Sequence, residues 1–218
     1  MKERLEEAPK FKQWKAKLQQ NGLTVNGIEE VYTRHRYNGE VLFSLVLLDA
    51  QVPEGGKIPP LCLIKGQVVS ILICLIDEQT EERFLLMVSQ RRICDGGLIY
   101  EHVAGMVDGE DDPKMVAIRE AEEEAGIKLD PEEVISLHKE GFFPSSGTCD
   151  EEIFFFFTEL RMSREDIMKY DANKLGMVYE HELTFTHILS IPEAMKKTRN
   201  TNGLLNIYLY ADHVGITV

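Results

Sequence analysis

The sequence has little of what marks several broad protein classes. No CxxC pair occurs, and the four cysteines, Cys62, Cys74, Cys94 and Cys149, stand far apart. A zinc knuckle or a disulfide framework is therefore not expected, and free thiols in a reducing cytoplasm are. No run approaches the ~20 apolar residues of a membrane span. Positive charge is in the minority: 24 Lys and Arg against 37 Asp and Glu leave a net charge of −13. Gripping a nucleic-acid backbone needs the opposite balance. Neither nucleic acid nor a membrane is expected as partner, while a small phosphorylated substrate stays open, because divalent cations can neutralise its charge locally. The six histidines show no ligand spacing, and there is no internal repeat. Gly96-Gly97 lacks the Lys-Ser/Thr of a phosphate loop. The segment Met1 to Gln20 mixes Glu3, Glu6 and Glu7 with Lys2, Lys10 and Lys12. That is unlike a secretory or transit leader, so it reads as part of the mature chain.

What is present is an ordinary globular composition, 44% hydrophobic and 28% charged over 218 residues, with room for one large domain or a catalytic domain behind a smaller one. Residues 3–20 fit a helix with Leu5, Phe11, Trp14 and Leu18 as apolar points and Gly22 as a stop. Strands at 28–36 and 41–49 flank the hairpin signal Asn38-Gly39. Pro53 to Pro60 reads as a linker, which divides the chain into a helix-plus-hairpin region, 1–60, and a larger domain, 61–218. Beyond it, 68–76, 83–89 and 98–104 read as strands, 113–125 as a helix closed by Gly126, and 134–139, 153–160 and 182–190 as further strands. Pro192 opens a helical tail that Gly203 interrupts before 204–213. Strands dominate among a few helices, so the fold class expected is α+β.

The helix at 113–125 holds the chemistry. Asp111 or Asp112 can cap it, Pro113 suits its first turn and Gly126 its exit. At ~100° per residue, Met115, Ala117, Ile118, Ala121 and Ala125 share the side that faces a core. Glu120, Glu123 and Glu124 share an arc of roughly 100° on the other, with Arg119 beside them and Glu122 outside the cluster. Three carboxylates on one wall repel one another, near the helix end least suited to negative charge. Either solvent screens them, as on most acidic helices, or a cation compensates them. Oxygen-only ligands select a hard ion, Mg²⁺ or Mn²⁺.

The framing of these residues resembles the Nudix box: Gly, five residues, Glu, seven residues, then Arg-Glu-apolar-any-Glu-Glu-any-Gly-apolar. Gly105, Arg119, Glu120, Ala121, Glu123, Glu124, Gly126 and Ile127 match it, and Asp111 stands where the family has Glu. The resemblance implies the Nudix fold, an α/β/α sandwich with a mixed sheet, here behind an N-terminal β-rich segment. It implies two or three divalent ions held by Glu120, Glu124 and the assisting Glu123, with the Ala104 carbonyl as a further ligand and Arg119 orienting a glutamate. Asp111 keeps the charge one methylene shorter at a position that mainly supports loop geometry.

Three flanking segments resemble ADP-ribose and ADP-sugar diphosphatases of that family, most closely the plant type. Glu101-His102-Val103-Ala104-Gly105 is similar to their Glu-x-x-Ala-Gly. Gln90-Arg91-Arg92 is similar to their Gln-x-Arg, with Ser89 replacing a Glu, and Arg92 matches an arginine on the substrate phosphate, for which a guanidinium fork is suited. Pro144 to Glu152 is similar to their Pro-Ser-Pro-Gly loop ending in Asp-Glu-Glu, with Ser146 replacing the second proline. The resemblance implies Mg²⁺-dependent hydrolysis of an ADP-sugar or ADP-ribose to AMP and a sugar phosphate. Catalysis would rest on Glu151, Glu124, Glu120 and Arg119, and substrate contacts on Arg92, Glu101, Gln90, Gly105 and Glu152. Glu151 is the first choice of base and Glu152 the second; without the box upstream, that acidic run would read as a polar turn. Two alternatives remain: another Nudix substrate, such as UDP-glucose, GDP-mannose or a dinucleoside polyphosphate, and a Nudix-fold module that binds a nucleotide without cutting it. Relatives are commonly homodimers exchanging an N-terminal β region, so a homodimer is expected.

Overall fold

The computed structural model describes residues 2–109, 112–175 and 183–218. Asp111, expected at the box position before the helix, lies outside the described residues. The chain divides into two compact units, each assembled from several pieces. The first takes Met1–Val68, Met106–Asp111 and Phe142–Ile153; the second takes Val69–Gly105, Asp112–Gly141 and Phe154–Val218.

The first unit is a helix on a small sheet. Helix α1 (Pro9–Gln20) follows a short 3-10 turn at Leu5–Glu7. It presents Phe11 and Trp14, one helical turn apart, to Val46, Leu48 and Ala50 of the sheet. Strands β1 (Thr24–His35) and β2 (Val41–Gln51) pair antiparallel, and β3 (Leu61–Ile64) adds to β2. The turn between β1 and β2 falls at Asn38-Gly39 as the sequence suggests. Gly39 takes φ 96°, a conformation that favours glycine, and Glu40 N–H donates to Asn38 Oδ1 at 3.0 Å. Pro53 to Pro60 forms the loop between β2 and β3. The piece 106–109 is fastened by Asp108, which pairs with Lys10 at 3.3 Å and Arg36 at 2.8 Å. Lys10 also donates to the Leu42 carbonyl at 2.9 Å, and burial holds its pKa below the usual lysine value.

The second unit is built on a larger, mixed sheet. Its strands are β4 (Gln67–Asp77), β5 (Arg83–Arg91), β6 (Leu98–Glu101), β7 (Val103–Met106), β8 (Ile135–Ser136), β9 (Glu152–Met162), β10 (Lys174–Leu175) and β11 (Thr184–Ser190). The order is β10-β11-β5-β4-β9-β8, with β6 on β5 and β7 on β4. Its helices are α2 (Pro113–Ala125), α3 (Arg164–Met168), α4 (Ile191–Lys197) and α5 (Thr201–Val214). Strand β4 is apolar almost throughout because both faces are covered. Leu72, Cys74 and Ile76 meet Ala194 of α4 and Ile207 and Tyr210 of α5 on one face. The intervening Ile71, Ile73 and Leu75 are fully buried on the other face, where α2 packs against β5 and β10. This is the α+β class and the helix–sheet–helix layering expected.

Several local expectations change. The strand expected over 98–104 is two strands, broken at His102, and 134–139 shortens to Ile135–Ser136. Helix α3 was not foreseen; Ser163 caps it through Asp166 N–H. The tail does not break at Gly203. The break lies at 198–200, and Gly203 sits inside α5, where a Cβ would come within 3.0 Å of Thr198 Cγ2.

Candidate active site

Helix α2 has the ends its sequence dictates. Asp112 caps it by accepting from Lys114 N–H at 3.0 Å, Pro113 opens it, and Gly126 leaves it at φ 67°. The buried stripe is Val116, Ala117, Ala121, Glu124 and Ala125. This corrects the face drawn from periodicity alone: Met115 is 49% exposed and Glu124 is 6% exposed. A carboxylate buried to that degree needs partners, since desolvation of a charge is costly.

Strand β7 supplies them. Ala104 N–H donates to Glu124 Oε2 at 3.2 Å. One residue on, Glu120 lies across Gly105, where a Cβ would stand 2.2 Å from Glu120 Oε1 and 2.3 Å from its Cδ. Only glycine admits that side chain, which gives a physical reason for the glycine at the first position of the motif. Arg119 Nη2 donates to Glu120 Oε1 at 3.3 Å. Glu123 is half-buried, while Glu122 is exposed and pairs with Lys128 at 3.2 Å. Thus Ala104, Gly105, Arg119, Glu120 and Glu124 are brought together. Among the described residues, no three Asp, Glu, His or Cys side chains already converge as a metal cage. The donors at hand are carboxylate and backbone carbonyl oxygens, and Gly105 keeps the space beside Glu120 clear of a side chain. That chemistry fits a hard dication.

The same unit holds a second group. Arg92 follows β5, and its Nε donates to Glu101 Oε2 at 2.7 Å, with Nη2 in ion-pair contact with the same oxygen at 2.7 Å. Glu101 Oε1 accepts from Asn200 Nδ2. Gln90 is buried at the end of β5, opposite Ile99. His102, between β6 and β7, is 2% exposed; neither ring nitrogen makes a well-formed hydrogen bond, and burial lowers its pKa to about 4.

Glu151 and Glu152 belong to the first unit. Lys65 Nζ donates to Glu151 Oε1, while Glu152 Oε2 accepts from Lys17 at 2.5 Å and Gln67 at 2.8 Å. Asp150 anchors the loop by accepting from the backbone N–H of Lys65 (2.6 Å) and Gly66 (3.0 Å), and burial holds its carboxyl above the usual range. Phe143 is exposed. Sequence reasoning missed Asn200, Lys65, Lys17 and Gln67. An N-cap reading of Asn200 before Thr201 would have found the first. The others are paired across more than eighty residues of chain, with no local signal.

The NUDIX domain model matches residues 66–200. A curated relative, "Nudix hydrolase 14, chloroplastic" from Arabidopsis thaliana, is 32% identical over 164 residues, which is 72% of this chain and 52% of the relative. The chain therefore spans about half the length of that relative. A solved structure described as a crystal structure of an ADP compounds hydrolase superposes with a TM-score of 0.60 over 88% of this chain and 94% of its own. At 15% identity that likeness speaks to fold alone. With the box residues in place on α2 and β7 and the model matching well over half its length, the chain belongs to the NUDIX domain family.

Proposed function

We propose that the chain is a Mg²⁺-dependent hydrolase that cuts the diphosphate bond of ADP-ribose or an ADP-sugar, releasing AMP and a sugar phosphate. The observation that carries this reading is the seating of Glu120 across Gly105 and of buried Glu124 on Ala104 N–H. Such placement is otherwise costly for two carboxylates. The described name of the structural relative and the resemblance of the Pro144–Glu152 loop support ADP compounds as the substrate class.

In this reading Glu120 and Glu124, with Glu123 and the Ala104 carbonyl, hold Mg²⁺ or Mn²⁺. The ion would neutralise the two phosphates and ease deprotonation of the attacking water. Arg119 orients Glu120. Arg92 grips the diphosphate with charge-assisted hydrogen bonds, with Gln90 and Gly105 bordering the substrate. Glu151 takes the proton of the attacking water, with Glu152 as the second choice. The water oxygen bonds to one phosphorus and the bridging P–O bond breaks, leaving a phosphate on each product. Residues 61–218 form the catalytic region of this proposal, and 1–60 the region that meets a second copy. In the first unit the sheet face opposite Val46 and Leu48 carries Tyr32, Phe43, Leu45, Leu47 and Leu61, an apolar surface of the kind a homodimer covers. The proposed compartment is the cytoplasm, which cell fractionation would test against the chloroplast named for the relative.

A panel of nucleotide sugars with Mg²⁺, read as nucleoside monophosphate release, tests the substrate. AMP from ADP-ribose or ADP-glucose is expected to outpace UMP from UDP-glucose and GMP from GDP-mannose. The reverse order moves the activity to another Nudix substrate, dinucleoside polyphosphates included. Metal-independent binding with no product makes the chain a nucleotide-binding module.

A further inference from the structure

We propose that Asn200 is a positioning residue that aims the Arg92 guanidinium, by way of Glu101, at the substrate diphosphate. The proposal rests on the function proposed above, and every contact lies within the second unit. The Arg92 backbone is held by a turn in which Arg92 N–H donates to Gly97 O at 3.1 Å and Gly96 N–H donates to Arg92 O at 2.9 Å. The long side chain keeps about 2 kcal/mol of rotamer entropy until something fixes it. Glu101 Oε2 does so by accepting from Nε at 2.7 Å and pairing with Nη2 at 2.7 Å.

Glu101 is itself 7% exposed, and a buried carboxylate has to be satisfied at both oxygens. Asn200 Nδ2 serves Oε1. The Asn200 amide has one acceptable orientation. Its Oδ1 caps α5 by accepting from Asn202 N–H at 2.8 Å and Gly203 N–H at 3.4 Å. A flipped amide would set NH₂ against backbone N–H and oxygen against a carboxylate. Thr198 Oγ1 ties the same loop to the Tyr100 carbonyl at 3.0 Å. The start of α5 therefore fixes Asn200, Asn200 fixes Glu101, and Glu101 fixes Arg92.

The grip on Arg92 engages the Nε edge. It leaves the Nη1 edge of a side chain that is 41% exposed, a two-pronged donor that suits phosphate oxygens. Glu101 Oε2 holds Arg92 while Oε1 holds Asn200, so Glu101 links the start of α5 to the guanidinium.

Asn200→Asp separates this role from mere stability, because it keeps an oxygen for the α5 cap and sets a carboxylate against Glu101. Two readouts apply: steady-state kinetics with ADP-ribose and Mg²⁺, and solvent exchange of the Arg92 Nε–H by NMR. The expected result is a KM raised ~10-fold, the scale of one charge-assisted hydrogen bond, with kcat nearly unchanged. The Arg92 Nε–H is expected to be protected in the parent and fast-exchanging in the variant. In an Arg92→Ala background, adding Asn200→Asp should not change KM further. A KM effect that persists without Arg92, an unchanged KM, or unchanged Nε–H protection overturns the proposal. If the parent hydrolyses no nucleotide diphosphate, the function proposed above fails, while the NMR readout still decides whether Asn200 holds Arg92. If Asn200→Asp does not fold, Asn200→Ser, which keeps a cap without the added charge, is read by the same measurements.

Discussion

Glu124 concentrates the site's chemistry in one side chain: it is nearly inaccessible and takes a backbone hydrogen bond from β7. Glu124→Gln should lower kcat by at least ~10²-fold, the usual scale for an essential group of this kind, with a melting temperature close to the parent's. Near-normal turnover would remove Glu124 from the metal site. Gly105→Ala tests the neighbouring contact. Its methyl would collide with Glu120, so activity should fall sharply, and a crystal structure of the variant should show Glu120 displaced. His102 sets a pH dependence of stability. Its folded pKa of about 4 lies below the ordinary 6.5. The unfolded chain therefore binds a proton that the folded one refuses, and stability falls as pH drops from about 6.5 to about 4. The full loss is roughly 3 kcal/mol. Urea titrations at pH 7 and pH 4.5 should show this slope, and His102→Leu should flatten it.

Elements with local punctuation were legible in the sequence. Helix α2 begins and ends where its Asp, Pro and Gly place it, because capping is decided by neighbours in the chain. Asp112→Ala should cost about 1 kcal/mol of stability, read as a lowered melting temperature. The tail was misread for the converse reason. Glycine was taken as a helix breaker, yet Gly203 is there to let Thr198 approach, a contact that only folding creates. The split between β6 and β7 is likewise invisible locally, since β6 pairs with β5 and β7 with β4. Periodicity placed Met115 inside and Glu124 outside; the structure exposes Met115 and buries Glu124, whose carboxylate accepts from Ala104 N–H of β7.

For the whole molecule, the proposed role of Glu120 and Glu124 predicts dependence on a divalent cation. EDTA should abolish turnover, and Mg²⁺ or Mn²⁺ should restore it. Association is tested by sedimentation. A mass near twice 24.9 kDa is expected for the parent, and Tyr32→Glu, on the apolar sheet face, should shift it towards the monomer.

By itself the sequence determined the fold class, the extent of α2 and the family. Each of these is written in spacing, and spacing along a helix or across a hairpin turn is a property of the local chain. Tertiary structure decided which carboxylates carry which burden. It seated Glu120 on Gly105 and buried Glu124 against Ala104. It also paired Glu151 with Lys65 and linked Arg92 through Glu101 to Asn200. Hydrogen bonds and desolvation depend on distance in space, and Lys65–Glu151 and Glu101–Asn200 lie 86 and 99 residues apart in the chain, too far for a local window of sequence to join them.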